Sequence, residues 1–472
     1  MSDTPASIVW FRRDLRLSDH AALTAACNAG GPVFAVFIHD PQTAGLGAAA
    51  KWRLQMALKS LGDALLKKGH KLILRRGNAL DVLQTLLDET GARAVHWLRA
   101  YEPDSIARDT KIKAALKAKG IAATSHAGTV MFEPMSVQTG QGGYYKVYSP
   151  FWRAVAGRDV APPLPAPSRI PAPEIWPVSD RLTDWGLSEA MNRGADVLHL
   201  YTQIGEDAAQ NKLAEFLAER VDAYKARRDF PAENATSDMS QHLTVGEISA
   251  SQCWHGAMRM CEEGAAGAEH FMKELVWREF AYHLMYHTPK ILTENWREGW
   301  DEFPWNTDET RADVIAWKQG RTGQPFVDAA MREMYVTGRM HNRARMIVGS
   351  YLTKHLMTHW RVGQAWFADC LTDWDAASNA MGWQWVAGCG PDAAPYFRVF
   401  NPETQAEKFD KSGAYRKSWI SELSKSPPKS ALDYFAAIPR SWDLRPEMPY
   451  ATERISLKEG RDRALAAYGA RA

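Results

Sequence analysis

Trp383 and Trp385 stand two residues apart in the stretch NAMGWQWVAGCGPDAAPYF (Asn379–Phe397). A helix turns about 100° per residue, so residues two apart diverge by about 200° and their indoles point to nearly opposite sides. Steps of four back from Trp383 reach Asn379 and then Asp375. A carboxylate, an amide and an indole thus share one stripe, while Trp385 looks the other way. A helix between two different neighbours needs such an arrangement. Core packing behind a capped helix start would also satisfy it.

Other stretches combine residue types in ways that could bind or react. In MHNRARM (Met340–Met346), Asn342 and Met346 are four apart and share a face, and Arg345 points elsewhere. The bland alternative is a basic, solvated helix face. Glu274 and Trp277 in ELVW are three apart and share a face as well. In TSDMS (Thr236–Ser240), hydroxyls and backbone N–H groups precede a helical pattern, which suits a phosphate or a simple N-cap. The pairs His283/His287 and His355/His359 have i, i+4 spacing but no HExxH form and no evident third ligand, so no metal site is expected. No G-x-S-x-G or Walker motif occurs, which leaves hydrolase and phosphoryl-transfer chemistry without support.

These residues must be positioned by two unlike halves. Five short apolar runs, SIVWF (7–11), VFAVFI (33–38), KLILR (71–75), AVHWL (94–98) and IAATS (121–125), alternate with helical patterns. One pattern places Leu54, Leu58, Leu61 and Leu65 on a single stripe, and another starts at Asn78, a good N-cap. The alternation predicts a Rossmann-like, doubly wound parallel sheet of five strands over residues 1–130. GLGAAA (Gly45–Ala50) fits a loose dinucleotide fingerprint but stands away from its strand's end, so a loop leading into a helix is the competing reading. A run with seven prolines, Ala161–Pro177, excludes regular helix and predicts an extended connection within a linker over 131–203. From 204 to 472 the period is helical, with Leu213, Leu217, Val221 and Tyr224 on one face and MHNRARMIVGSYLTKHLMTHW as a later helical stretch.

Composition narrows the classes further. Lys+Arg of 57 against Asp+Glu of 55 leaves a net charge of +2, so any nucleic-acid surface must be local. Thirteen of the nineteen tryptophans follow residue 250, which marks the second half as chemically distinct. Five cysteines without a CxxC pair fit a reducing compartment, and no apolar run reaches membrane-span length. These features predict a soluble, cytoplasmic protein with no membrane partner.

Taken together, IVWFRRDLRLSDHAAL, AWKQGRTGQPFVDAAMREM, GRMHNRARM, DWDAASNAMGWQW and DAAPYFRVFNPETQAEKFD resemble, in order, the blocks of the DNA photolyase and cryptochrome family. The resemblance runs nearly end to end and is most like a bacterial photolyase for cyclobutane pyrimidine dimers. It implies an α/β antenna domain joined by a long linker to an all-α domain that holds FAD. Tyr224, Thr236, Ser237, Asp238, Met239, Ser240 and Phe271 fall at FAD-contacting positions. Glu274, Arg278, Asn342, Arg345, Asp373, Asp375 and Asn379 complete that set. Asp238 departs from the basic or small residues common there, and its side chain is expected to point away from the pyrophosphate. Trp383, Trp360 and Trp317 match the flavin-proximal, middle and outer, solvent-near members of an electron-transfer chain. Glu274, Trp277, Asn342, Met346 and Trp385 match the dimer pocket, and Arg228, Arg343, Arg398 and Gln405 match contacts to the surrounding strand.

The implied reaction is a light-driven lyase step: reduced, anionic FAD donates an electron to a flipped-out dimer, the cyclobutane bonds break, and the electron returns. Asn379 matches the position facing flavin N5, where plant-type cryptochromes carry Asp; a neutral amide does not repel a reduced flavin. The alternative function is a cryptochrome photoreceptor with little or no repair activity. A photolyase for (6-4) photoproducts would typically carry histidine in place of Asn342. An antenna chromophore is expected too, 5,10-methenyltetrahydrofolate ahead of 8-hydroxy-5-deazaflavin, although Asp104 and Ser105 stand where some folate-binding relatives carry Asn and Glu. The implied partner is UV-damaged DNA, double- or single-stranded, bound by a monomer at the nucleoid.

Overall fold

The computed structural model describes residues 4–393 and 397–471. Its first part is a five-stranded sheet: β1 (Ser7–Phe11), β2 (Val33–His39), β3 (Leu72–Arg76), β4 (Ala94–Leu98) and β5 (Ala122–His126). All neighbouring pairs are parallel, in the order β3-β2-β1-β4-β5. β1 and β2 are apolar on both faces because both faces are covered. Val9, Phe11, Ala35 and Phe37 point into one core, closed by Leu54, Leu58, Leu61 and Leu65 of the helix Ala48–Lys67. Ile8, Trp10, Phe34 and Val36 point into the other, under Leu83, Leu87, Ile112 and Leu116. The edge strand β5 reads AATSH and is the least buried.

GLGAAA serves packing. Gly47 caps the helix Ala48–Lys67, and a Cβ there would stand 2.1 Å from the Ala368 carbonyl oxygen of the helical part. Only a glycine permits that approach. The proline-rich run is extended and lies back over the sheet domain: Val33 N–H donates to the Pro171 carbonyl and Asp180 N–H to that of Leu74. Ile170, Trp185 and Leu187 sink into the sheet's core.

The second part is helical. Two large cores fill it, one around the helix Ala268–His287 and one around Pro325–Thr337, Asn342–Ser350 and Trp360–Cys370. The stretch after Asn342 is interrupted where the sequence suggested continuity. It widens into a π turn at Tyr351–His355, Met357 takes a left-handed φ of 49°, and a new helix starts behind His359. The break is held by a second segment: Asn306 N–H donates to the Met357 carbonyl, and His359 N–H donates to that of Asn306. Tyr224 likewise opens a new turn after the helix Glu206–Glu219 ends.

The halves dock through the loop after β1. Leu15 N–H donates to the Val245 carbonyl, and Arg13 reaches the Thr244 carbonyl through Nε at 2.9 Å and the Asp375 carboxylate through Nη2 at 3.3 Å. Gly246, with φ of 76°, admits the Arg13 carbonyl where a Cβ would stand 2.2 Å away.

Candidate active site

The helix Ala376–Ala387 organises the site. Asp375 caps it, accepting the Ser378 N–H at 2.7 Å. The other oxygen of Asp375 accepts the Tyr282 hydroxyl at 2.6 Å and faces Arg13. Burial opposes the charge of Asp375, but Arg13, Arg278 and these hydrogen bonds outweigh it and hold its pKa below the usual carboxylate range. One turn on, buried Asn379 donates from Nδ2 to the Asp375 carbonyl at 3.0 Å, which fixes the plane of its amide.

Trp383 and Trp385 have opposite environments. Trp383 is buried, edge-on to Phe367 at 4.8 Å and to Trp317 at 6.3 Å between ring centroids. Its indole N–H has no partner among the described residues. It lies directly against Gly363 of the helix Trp360–Cys370. Trp385 is half-exposed and donates its indole N–H to the Asp392 carbonyl at 3.1 Å.

Three further indoles lie in the same core. Trp360 is fully buried and donates to Asn295 Oδ1 at 2.9 Å. Trp317 is also fully buried, donates to the Val348 carbonyl at 3.2 Å and touches Trp383 itself. It is therefore not the solvent-near residue that the motif match implied. Helix periodicity shows which face a residue takes and not how deep that face lies. Trp305, which the sequence reading passed over, is 9% exposed and packs edge-on to His359, next in chain to Trp360. The signal for it was a tryptophan in EFPWNTD, upstream of the matched block.

Trp277 is half-buried and lies flat on Tyr148, with centroids 3.7 Å apart and planes 4° apart. Glu274, one turn before it, forms an ion pair with Arg228. Arg228 also lies over the Tyr224 ring at 5.2 Å. Arg343 pairs with Asp229 at 2.6 Å and covers Phe409 at 4.2 Å. Asn342 is exposed at the start of its helix, with Met346 half-buried on the same face. Gln405 is half-buried on the helix Pro402–Phe409, and its Oε1 is buried without a partner among the described residues. Arg398 lies over Phe400 at 5.8 Å. Ala394–Tyr396 of the last matched block lie outside the described residues.

The chain matches a family model described as DNA photolyase over residues 7–168 and one described as the FAD binding domain of DNA photolyase over 271–470. It is 43% identical to a deoxyribodipyrimidine photo-lyase of Agrobacterium fabrum, over 99% of this chain and 98% of that one. The chain belongs to the DNA photolyase family. A bacterial class III photolyase from Agrobacterium tumefaciens has the same fold, with a TM-score of 0.92 at 42% identity over 100% of this chain and 98% of that one. An archaeal photolyase from Sulfolobus tokodaii, described with two FAD molecules, matches at a TM-score of 0.80 and 28% identity, covering 98% and 100%.

The photolyase's residues fit FAD. Arg345 Nη2 donates to both oxygens of Asp373, at 3.0 and 2.8 Å. Tyr224 and Phe271 pack 5.9 Å apart in the adjoining core. In TSDMS, Thr236 Oγ1 lies 3.3 Å from Asp238, Ser237 Oγ accepts the Met239 N–H at 3.4 Å, and Ser240 opens a short helix. Met239 itself is buried in the core. Asp238 has a φ of 55° and is bracketed by Arg339 at 2.6 Å and Lys212 at 3.3 Å. Burial pushes its pKa up, but the two cations prevail and it stays low. Two cations against one carboxylate leave a positive balance, which suits a pyrophosphate. Arg339 Nε is buried there, without a hydrogen-bond partner among the described residues.

Arg278 lies over Tyr282 at 4.7 Å and pairs with buried Glu279 at 3.1 Å. Of the two residues flagged for the antenna, Asp104 is exposed, while Ser105 turns inward to Gln42 at 3.0 Å. Gln42 also receives Arg108 at 2.5 Å, and Arg108 pairs with Asp40 at 2.7 Å. The carboxyl end of the sheet at this point is thus tied by internal polar contacts. The histidine pairs are absorbed by packing: His283 accepts the Tyr145 N–H at 3.1 Å, and His355 stacks on Tyr351. No metal-binding group occurs among the described residues, and no helix there is long and apolar enough to cross a membrane.

Proposed function

We propose that this photolyase splits cyclobutane pyrimidine dimers in UV-damaged DNA. The observation that carries the reading is the helix Ala376–Ala387, whose Trp383 is buried against aromatic neighbours while Trp385, two residues on, is partly exposed. When bound, reduced anionic FAD supplies the light absorption and the electron that opens the cyclobutane ring.

The chain's own residues bind and orient. A dimer inside a duplex is out of reach, so the damaged pair must leave the stack, which costs less than extruding an intact pair. Trp277 and Trp385 offer flat walls for the extruded bases. Glu274 and Asn342 can hydrogen-bond their edges. Arg228 and Arg343 are ion-paired in the free protein, so incoming phosphates exchange with Glu274 and Asp229 for these guanidinium groups. Arg398 and Gln405 extend this contact to the flanking strand. Asn379 places no negative charge beside the flavin, so a reduced, anionic ring is not opposed there.

Trp383, Trp360 and Trp305 form the route by which an oxidised flavin is re-reduced. The pairing of Asn306 with Met357 and His359 supports it, because it holds Trp305 next to the Trp360 helix. A folate antenna, monomeric action and a cytoplasmic setting at the nucleoid complete the proposal. The test is illumination of the reduced protein with an oligonucleotide carrying one dimer. Loss of the dimer supports repair, and an unchanged dimer with intact flavin photochemistry supports a photoreceptor. The absorption spectrum of pigments released on denaturation identifies the antenna.

A further inference from the structure

β1 lies between β2 and β4, where the order of the strands reverses. In open α/β sheets the crevice beyond the strands' carboxyl ends at such a point is the usual place for a bound group. Here the loop after β1, RRDLRL (Arg12–Leu17), turns instead toward the helical part. Arg13 holds three elements at once. Its Nε donates to the Thr244 carbonyl at 2.9 Å, Nη1 pairs with Glu102 at 3.1 Å, and Nη2 donates to the Asp375 carboxylate at 3.3 Å. The rest of the loop meets backbone: Leu15 N–H donates to the Val245 carbonyl, and Arg16 donates to the carbonyls of Asp19, Gly128 and Gly246.

The two helical-domain partners of Arg13 are themselves joined. The Thr244 hydroxyl donates to the carbonyl of Asp373, two residues before Asp375, at 3.3 Å. Thr244 belongs to the short helix Ser240–Val245 that follows TSDMS, and Asp375 caps the helix Ala376–Ala387. A guanidinium from the sheet domain therefore closes the contact between these two segments. Asp375 passes the constraint on: its carboxylate accepts the Ser378 N–H at 2.7 Å and its carbonyl accepts Asn379 Nδ2 at 3.0 Å. A shift of Asp375 carries the Asn379 amide with it.

We infer that Arg13, a residue of the sheet domain, is a positioning residue for the flavin: it fixes Asp375, and through it Asn379, against the segment that follows TSDMS. This role rests on the reading of Asp375 and Asn379 as the flavin's wall. The Arg13 side chain is 35% exposed, so Arg13→Met leaves the buried cores intact.

The experiment measures two properties of the flavin-loaded protein: the flavin midpoint potential, by spectroelectrochemical titration, and the flavin dissociation constant, by release on dilution. Arg13→Met should bind flavin about tenfold more weakly, the scale of one hydrogen bond to a charged group. Its potential should move to more negative values, because Asp375 loses a cation and opposes a reduced, anionic ring. Arg13→Lys keeps the charge without the fork, so it should restore the potential and recover the affinity in part. Glu102→Gln removes the partner of Arg13 inside the sheet domain; it should keep the parent's affinity and a potential no lower than the parent's. The role is overturned if Arg13→Met keeps either parent value, if Arg13→Lys fails to restore the potential, or if Glu102→Gln reproduces the loss. Asn379→Asp puts a carboxylate where the amide stands and should also lower the potential. An unmoved potential in Asn379→Asp would sink the wall reading and this role together. A potential that falls in Asn379→Asp but not in Arg13→Met would sink the positioning role alone.

Discussion

Gly363→Ala is the sharpest test of how Trp383 is seated. A Cβ at residue 363 would stand 2.1 Å from Trp383 Cη2, 2.5 Å from its Cζ3 and 2.6 Å from Leu352 Cδ2. Carbon atoms in a packed core rest at about 3.5–4.0 Å, so the ring must retreat by more than an ångström. Phe367 and Trp317 stand in its way, both buried. Overpacking of this kind costs roughly 1–3 kcal/mol, against which alanine's helix propensity returns about 1 kcal/mol. The net expectation is a loss of about 0–2 kcal/mol, read as a lower midpoint in denaturant unfolding with an unchanged slope. Gly62→Ala is the control: its Cβ meets nothing within 4 Å in the helix Ala48–Lys67, so it should gain roughly what propensity gives. Displacing the indole should also slow photoreduction of the oxidised flavin. Equal stabilisation by both alanines, with photoreduction untouched, would refute the seating of Trp383 against Gly363.

Further outcomes follow from the same geometry. Trp383→Phe should block photoreduction of oxidised flavin yet leave repair by chemically reduced protein largely intact, measured by transient absorption and dimer loss. Trp305→Phe should impair photoreduction more than Trp317→Phe, because Trp317 is fully buried and touches Trp383, whereas Trp305 reaches solvent; the reverse order contradicts the revised route. Trp277→Ala should weaken dimer binding without lowering the flavin content. Acid should destabilise the fold. Burial depresses His341, His355 and His359 to about 4, helped at His355 by Lys354 and Arg463 and at His359 by Arg361. Between pH 6.5 and 4 the unfolded chain binds protons that these folded sites refuse, so stability falls as pH falls through that window. Each site costs about 1 kcal/mol between pH 7 and 5.5, checked by denaturant titrations at the two pH values.

The strands were legible almost to the residue, because parallel strands covered on both faces appear as uninterrupted apolar runs. The predicted Leu54–Leu65 stripe faces the core for the same reason. The opposed environments of Trp383 and Trp385 followed from helical angle alone. Depth did not: Trp317 and Trp305 are both tryptophans near the same block, and only the packed domain distinguishes a sealed indole from one at the rim. The charge at Asp238 was also read in isolation. Its neighbours come from far along the chain, Lys212 from the helix Glu206–Glu219 and Arg339 from the connection after Pro325–Thr337, so sequence proximity gave no sign that the carboxylate would be neutralised where it stands. The break after the π turn at Tyr351–His355 escaped because the Asn306 backbone that pairs with Met357 and His359 lies far along the chain.

One measurement bears most directly on the central reading. The flavin-loaded protein, chemically reduced and kept anaerobic, is given an oligonucleotide with a single cyclobutane thymine dimer and exposed to blue light, with a dark sample beside it. The account predicts restored thymines in the light only, at undiminished yield in Trp383→Phe and at reduced yield in Trp277→Ala. Persistence of the dimer under light that the reduced flavin absorbs would contradict it.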